Sequence, residues 1–157
     1  MPTLTLTDWQ QRARDLHIEG RAFIQGRYTP AAKGEVFDCI SPVDGRLLTQ
    51  VASCDEADAE QAVASARAAF DSGVWSRMAP ARRKAVLVRF AELIEANAEE
   101  LALLETLDMG KPIADALAVD MPAAARAIRW NGEAIDKVYD EVAATPEDQL
   151  GLVTREP

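Results

Sequence analysis

The chain has 157 residues, 48% of them hydrophobic and 27% charged, which is typical of a globular protein with a packed core. Its 26 acidic side chains outnumber its 17 basic ones, and the net charge of −9 argues against binding to nucleic acid. The sequence has no apolar run long enough to span a bilayer, and its first twenty residues do not resemble a signal peptide. We therefore expect a cytoplasmic protein that binds neither nucleic acid nor membrane.

Candidate catalytic side chains are few. Cys39 and Cys54 are the only cysteines, too few for a disulfide framework, and His17 is the only histidine, so no histidine-based catalytic set can be built. Cys54 stands at a predicted helix start, where the pKa of a thiol can fall, but no helper side chain accompanies it and a structural role is favoured. The sequence also lacks GxGxxG, Walker A and GxSxG motifs.

The first twenty residues predict a short amphipathic helix. Thr7 or Asp8 is its expected cap, and Trp9, Ala13 and Leu16 share one side.

Two hairpins are predicted next. Gln25-Gly26 separates two short extended runs. In the second hairpin, residues 36–40 and 47–51 read as strands that flank the turn Pro42-Val43-Asp44-Gly45, where proline presets φ and glycine accepts a positive φ.

The apolar spacing then changes to a helical period. We expect one helix capped by Ser53 or Asp55 and ended by Gly73, and a second that begins near Pro80. A third is expected to start with a capping box of Asn97 and Glu100, and a last one, over about residues 121–141, is capped by Asp120 with Pro122 in its first turn. The apolar positions of these helices are, in order, Ala59, Val63, Ala66 and Phe70; Val86, Phe90, Leu93 and Ile94; the ridge Leu101 and Leu104; and the inward-facing Ala124, Ile128, Ile135 and Val138.

The final run, "LGLVTREP", alternates in polarity and predicts a strand over residues 150–155. It has no visible partner strand in the sequence. With small β units first and a helical layer after them, the class is α/β or α+β.

The stretch "LLETLDMGKP", residues 103–112, ends a predicted helix abruptly. Asp108 can bond the frayed end of its own helix, Gly110 can supply a left-handed cap, and Pro112 prevents continuation. On spacing alone, this helix-stop interpretation is favoured over a functional one.

Several segments together resemble, in order and spacing, the N-terminal third of the NAD(P)-dependent aldehyde dehydrogenases. They are "FDCISPVDGRLLTQVASCDEADAEQAVASARAAFD", "ELALLETLDMGKPI", "RAIRW" and "LVTREP". The resemblance runs from about residue 21 to residue 157, and its most specific motif is "ETLDMGKP". Within the family it is closest to the γ-glutamyl-γ-aminobutyraldehyde dehydrogenases of putrescine degradation, through "WQQRARDLHIEGRAFIQG" and "AARAIRWNGEAIDKVYDEVA".

The resemblance implies the N-terminal part of that α/β fold, in which small β-hairpins precede a helical layer of the cofactor-binding domain. Residues 1–20 would form an N-terminal helical segment, residues 21–141 the first half of the cofactor-binding domain, and residues 142–157 the start of the oligomerisation sheet. The full-length protein would be a homo-oligomer, either a dimer or a tetramer.

The resemblance also implies a site for a monovalent cation, Na⁺ or K⁺. In the family such a cation is held by the aspartate of the "ETLD" motif and by main-chain carbonyls of the strand that precedes the P-x-x-G turn. These ligands correspond here to Asp108 with Cys39 and Ile40. Carboxylate and carbonyl oxygens suit a hard cation.

A substrate tunnel is implied on the last helix. By resemblance, its nearest wall residues are Asp120, Met121, Ala123, Ala124 and Trp130. The small alanines would leave room for a long aldehyde, and the acidic residue could meet an amino group.

The reaction implied is oxidation of a small aldehyde by NAD or NADP. It proceeds by thiolate attack, hydride transfer and hydrolysis of the thioester. The family's nucleophile, general base and cofactor-binding residues are expected in sequence beyond residue 157, and neither Cys39 nor Cys54 matches the nucleophile. The chain alone should be inactive. The alternative is a stand-alone, non-catalytic α/β module that binds a partner through its final strand.

Overall fold

The computed structural model describes residues 4–155, in which hairpins and helices follow one another along the chain. In chain order the elements are α1 (Leu6–Asp15), β1 (Ala22–Ile24), β2 (Arg27–Thr29), β3 (Val36–Ile40), β4 (Leu47–Ala52), α2 (Glu56–Ser72), α3 (Pro80–Ala96), α4 (Ala98–Met109), α5 (Ile113–Asp115), a π-helical turn (Ala116–Asp120), α6 (Met121–Ala134), β5 (Glu141–Ala143) and β6 (Gly151–Val153). The strands pair as three antiparallel hairpins, β1 with β2, β3 with β4 and β5 with β6. The predicted class, with hairpins ahead of a helical layer, is confirmed. No helix between residues 4 and 155 is both long and apolar enough to cross a membrane.

The N-cap of helix α1 lies two or three residues before the predicted one. Thr5 is the N-cap, so the prediction of Thr7 or Asp8 was wrong. Asp8 instead completes a capping box. Its backbone N–H donates to the Thr5 hydroxyl oxygen at 3.3 Å, while its carboxylate accepts the Thr5 backbone N–H at 2.8 Å. The Thr5 hydroxyl also donates to the Asp8 carboxylate at 2.7 Å, and this hydrogen bond, followed by the one from the Thr5 backbone N–H, lowers the pKa of Asp8. The predicted inner side is confirmed, because its three residues are half-buried: Trp9, Ala13 and Leu16.

Both predicted hairpins are present. Gln25 and Gly26 have φ of 57° and 75°, the two successive positive values that a type I′ turn requires. In the second hairpin, the Gly45 N–H donates to the carbonyl of the buried Ser41 at 2.9 Å. The register of β3 against β4 shifts between Cys39 and Ile40, which interrupts the ladder near the end of β3.

The helix boundaries are partly as predicted. Asp55 caps α2, Gly73 ends it with a φ of 71°, and Gly110 ends α4 with a φ of 79°. Asn97 is the N-cap residue of α4, as predicted, but the predicted capping box was wrong, because the Asn97 side-chain amide instead donates to the Leu93 carbonyl of α3 at 2.7 Å.

The C-terminal part differs most from the sequence prediction. The last helix ends at Ala134 rather than near residue 141, and residues 141–143 form strand β5. Its partner is β6, whose bounds of 151–153 are shorter than predicted and whose register pairs Val142 with Leu152. The expectation of a strand without a partner was therefore wrong. Spacing alone carried the helix too far, because hairpin pairing depends on the turn that brings the strands together. In that turn the Thr145 hydroxyl donates to the Gln149 carbonyl at 2.6 Å.

Small residues make the contact between α3 and α6. Ala91 of α3 and Ala125 of α6 are fully buried. Gly132 is also buried, and a Cβ added there would lie 3.0 Å from the Leu87 Cβ. Alanine and glycine at these positions allow the two helices to approach closely.

Several apolar positions predicted to face inward do not do so. Ala124 and Val138 are exposed, so the predicted face of the last helix was wrong at these positions, whereas Ile128 and Ile135 are half-buried. Along α4 the buried residues are Ala102, Leu103 and Leu107, and the predicted ridge is only half-buried: Leu101 and Leu104. Exposed apolar residues also run along α2 and α3: Ala59, Val63, Ala66, Phe70, Val86, Phe90 and Leu93.

The chain exposes more surface than a compact monomer of its mass. Its accessible area is 11342 Å² for 17.1 kDa, against about 7,800 Å² expected from the scaling of monomer surface with mass. The excess is about 3,500 Å². Much of the apolar surface of α2, α3 and the β5–β6 hairpin therefore has no covering partner among residues 4–155.

The capping box gives a direct test of where α1 begins. Thr5→Ala removes the hydroxyl that accepts the Asp8 backbone N–H and donates to the Asp8 carboxylate, so α1 should fray and trypsin should cleave after Arg14 about fivefold faster. The measurement is the rate of that cleavage by mass spectrometry. Thr7→Ala, an exposed position within the same helix, is the matched control. Equal acceleration by both substitutions would contradict capping by Thr5.

Candidate functional site

A cleft of about 430 Å³ lies between the β3–β4 hairpin, the segment that follows α1, and α4. It is lined by Ile18, Glu19, Cys39, Leu48, Thr49, Val51, Leu104, Glu105 and Asp108. The Thr49 hydroxyl donates to the Ile18 carbonyl at 3.2 Å, which ties the hairpin to the chain after α1. The walls of the cleft therefore come from three separate parts of the sequence.

The end of α4 is fixed against the hairpin turn. Gly110 has a positive φ, and a Cβ added there would lie 3.2 Å from the Pro42 Cγ. Glycine thus serves both as a left-handed cap and as a close contact. Asp108, two residues earlier, is held beside β3 as a result.

Asp108 and Cys39 meet in this cleft. The Cys39 Sγ donates to the Asp108 Oδ1 at 3.4 Å. Burial raises the pKa of the Cys39 thiol, and the hydrogen bond to Asp108 and its negative charge raise it further. Cys39 is thus held as a neutral thiol, which disfavours it as a nucleophile. Cys54 is exposed beside the start of α2.

The residues predicted to hold a cation lie close together. Asp108 lies beside Cys39, and Ile40 follows on the same strand, where the shift in register interrupts the ladder. Such an irregularity leaves main-chain groups outside the regular pairing. A carboxylate and neighbouring carbonyls are the oxygen donors that a hard cation prefers, so the donor set fits a monovalent cation. Among the described residues, no three His, Cys, Asp or Glu side chains form a metal-binding group.

The residues predicted to line the tunnel do not share one face of α6. Trp130 is 70% exposed and Ala124 is exposed, whereas Met121 and Ala123 are half-buried. At about 100° per residue, Ala123 and Trp130 lie on the side opposite the buried Ala125, and Ala124 lies on the flank. Met121 lies nearer the packed side.

The remaining tunnel candidate, Asp120, closes the π-helical turn and does not cap α6, so its predicted capping role was wrong. Its carboxylate pairs directly with the Lys111 ammonium group. Lys111 also lies 3.5 Å from the Glu105 Oε1. The sequence indicated only a helix stop at this lysine. The position of Lys111 in the run Gly110-Lys111-Pro112 was the available local signal. Its partner Asp120 lies nine residues further on, so the pair cannot be inferred from local spacing.

Known proteins match nearly the whole chain. The sequence profile described as "Aldehyde dehydrogenase family" matches residues 28–157. "NADP/NAD-dependent aldehyde dehydrogenase PuuC" of Escherichia coli is 53% identical over 97% of this chain and 31% of its own length. The chain thus spans about a third of the length of this relative.

Two solved structures superimpose closely on the fold. "P. syringae AldA Indole-3-Acetaldehyde Dehydrogenase C302A mutant in complex with NAD+ and IAA" is 76% identical, with a TM-score of 0.97, over 99% of this chain and 31% of that one. "Gamma-glutamyl-gamma-aminobutyraldehyde dehydrogenase from Burkholderia cenocepacia J2315" is 57% identical, with a TM-score of 0.96, over 98% and 31%.

The contact between Cys39 and Asp108 can be tested by alkylation. With iodoacetamide at pH 8, the exposed Cys54 should react faster than Cys39. The raised pKa of Cys39 means that little of it is in the reactive thiolate form at this pH. Asp108→Asn removes a charge that opposes ionisation, so Cys39 should react about threefold faster. Mass spectrometry of the labelled peptides gives both rates. Asp115→Asn, an exposed carboxylate on α5, is the matched control. If Asp108→Asn leaves the Cys39 rate unchanged, the proposed contact is contradicted.

Proposed function

Since this chain belongs to the aldehyde dehydrogenase family, we propose that it forms the N-terminal part of an enzyme that oxidises an aldehyde to a carboxylic acid with NAD or NADP. The observation that carries the proposal is the unbroken match over residues 28–157, together with close superposition on a dehydrogenase that binds NAD⁺. The structure adds the helix end at Gly110, which brings Asp108 to β3.

Three parts of the chain take different roles in this proposal. Residues 1–20 form an N-terminal helical segment, supported by the ion pair between Arg12 of α1 and Glu99 of α4. Residues 21–141 form the first half of the cofactor-binding domain, and residues 142–157 begin the oligomerisation sheet. The large exposed area supports a fold in which further protein covers α2, α3 and β5–β6.

The chain's own residues hold a monovalent cation in this account. The Asp108 carboxylate and the main-chain carbonyls of Cys39 and Ile40 are the ligands, and the contact between Asp108 and Cys39 supports their placement. A bound cation would offset the Asp108 charge and fix the end of α4 to β3. NAD or NADP, when bound, accepts the hydride; the nucleophile and the general base come from sequence outside these 157 residues, so the isolated chain is inactive.

Two substrates have support. γ-Glutamyl-γ-aminobutyraldehyde is the substrate named for the Burkholderia cenocepacia relative, and indole-3-acetaldehyde is the one named for the P. syringae relative. The P. syringae relative has the higher sequence identity to this chain. The exposed part of α6 suits either, because Ala124 leaves its flank open and the Trp130 ring offers apolar surface on its outer side. Asp120 offers little to a substrate ammonium group, since Lys111 already pairs with it. Neutral aromatic aldehydes are therefore the second candidate.

The complete enzyme is a cytoplasmic homo-oligomer, a dimer or a tetramer, in this proposal. The β5–β6 hairpin supports assembly because both of its strands have apolar side chains that are largely exposed: Val142, Leu152 and Val153. A two-stranded hairpin of this length also needs further strands to be stable. In the proposed assembly those strands come from the rest of the chain and from a neighbouring subunit.

Steady-state kinetics of the full-length protein test the activity and the tunnel together. Aldehyde-dependent NADH or NADPH formation is expected with γ-glutamyl-γ-aminobutyraldehyde or indole-3-acetaldehyde. Ala124→Trp should raise KM for these bulky aldehydes about tenfold and change KM for acetaldehyde little, because a large ring then fills the tunnel wall. Ala85→Trp, an exposed alanine of α3, is the matched control.

Three results would count against the proposal. No turnover with any aldehyde by the full-length protein would refute the activity. Equal effects of Ala124→Trp on small and bulky aldehydes would show that this face does not line the tunnel. Turnover by the purified 157-residue chain would contradict the division of catalytic residues.

The solution state of the isolated chain tests the claim that further protein covers it. The 157-residue chain should self-associate, because its apolar helix faces and hairpin edges lack partners. Deletion of residues 138–157 should lower the light scattering at matched concentration, since it removes the whole β5–β6 hairpin. Deletion of residues 1–15, which removes α1, is the control. A monodisperse 157-residue monomer that melts cooperatively would instead favour the stand-alone module.

A further inference from the structure

Lys111 joins three elements through one cluster of charges. It lies between α4 and α5, and its ammonium group pairs with Asp120 of the π-helical turn and lies 3.5 Å from the Glu105 Oε1 of α4. All three side chains are only 26–29% exposed. The hydrogen bond and charge of Asp120, followed by the charge of Glu105, raise the pKa of Lys111. Lys111 therefore stays protonated near neutral pH.

The π-helical turn brings two buried residues closer in phase around the helix axis than a continuous α-helix would. Ala116, at the start of the turn, and Ala125, on α6, are both fully buried. Nine residues of regular α-helix would place them about 180° apart around the axis. The extra residue of a π turn shifts the phase by about 100° and brings them to within about 80°. The turn contacts α4, and α6 contacts α3.

We propose that Lys111 is a positioning residue, which holds the π-helical turn through Asp120 and so sets which residues of α6 face the substrate tunnel. The pair joins Asp120, the last residue of the turn, to the segment that follows α4. Asp120 is also the point at which the chain changes from π-helical to α-helical structure. Asp120 serves this pairing rather than contacting substrate. This inference rests on the proposed function, because only an aldehyde tunnel gives the face of α6 a role in specificity.

Loss of the pair has two consequences. Without Lys111, the Asp120 carboxylate is half-buried and unpaired, so the turn opens more often. The start of α6, with Ala123 and Ala124, then samples rotated positions, and bulky aldehydes are affected more than small ones, because they contact more of the wall.

The test uses the full-length protein with four variants. Lys111→Met and Asp120→Asn break the pair, whereas Lys111→Arg keeps the positive charge. Lys33→Met is the control, since it removes an ion pair with Asp55 that is far from Lys111 in the sequence. One readout is amide hydrogen exchange of a peptide that covers residues 113–122. The other is the ratio of kcat/KM for indole-3-acetaldehyde to kcat/KM for acetaldehyde.

Lys111→Met and Asp120→Asn should each make this peptide exchange about threefold faster and lower the kcat/KM ratio about tenfold. Lys111→Arg should restore both values to within about twofold of wild type, and Lys33→Met should change neither. An unchanged rate of exchange would overturn the proposed hold on the turn. Faster exchange with an unchanged ratio would overturn the positioning role. If the wild-type protein oxidises no aldehyde, the proposed function fails, and the exchange measurement still decides whether Lys111 holds the turn.

Discussion

The close approach of α3 and α6 sets the geometry of the helical layer. Gly132 lies so near Leu87 that any side chain there would press on it, and the small residues Ala91 and Ala125 are fully buried. Ion pairs border this contact, with the Arg129 guanidinium 2.7 Å from the Glu95 carboxylate. Because these pairs are half exposed, they contribute little on their own, and steric fit decides the helix positions.

The position of α6 determines the elements before it. The π-helical turn contains the buried Ala116 and contacts α4, α6 contains the buried Ala125 and contacts α3, and the turn shifts the phase between the two alanines. The turn places Asp120 beside Lys111, which follows the glycine that ends α4. The same helix end brings Asp108 to Cys39. Helix packing, the helix stop and the cation-site residues thus form one connected arrangement. A change in any one of these contacts would displace the others.

Local sequence patterns predicted what local physics controls. The hairpins at Gln25-Gly26 and Gly45, and the helix stops at Gly73 and Gly110, depend on a few adjacent residues and could be identified from spacing. The resemblance to aldehyde dehydrogenases supplied the pairing of Asp108 with Cys39, which lies beyond the reach of periodicity.

Features that depend on distant residues were missed. The β5 strand was not predicted, because only its pairing with β6 distinguishes it. The π-helical turn has no signal of its own in the sequence, since it arises from the fit of Ala116 and Ala125 to two different helices. Exposure was misjudged for a related reason. Val63 and Phe70 of α2 have the spacing of a buried face, but nothing in residues 4–155 covers them.

Hydrogen exchange of α2, compared between the isolated chain and the full-length protein, tests most directly whether these residues are part of a larger dehydrogenase fold. A helix covered by further protein should unfold locally less often. The amides of residues 56–72 should therefore exchange at least about tenfold more slowly in the full-length protein. Equal exchange in the two proteins would mean that α2 has no further partner, and would contradict the account.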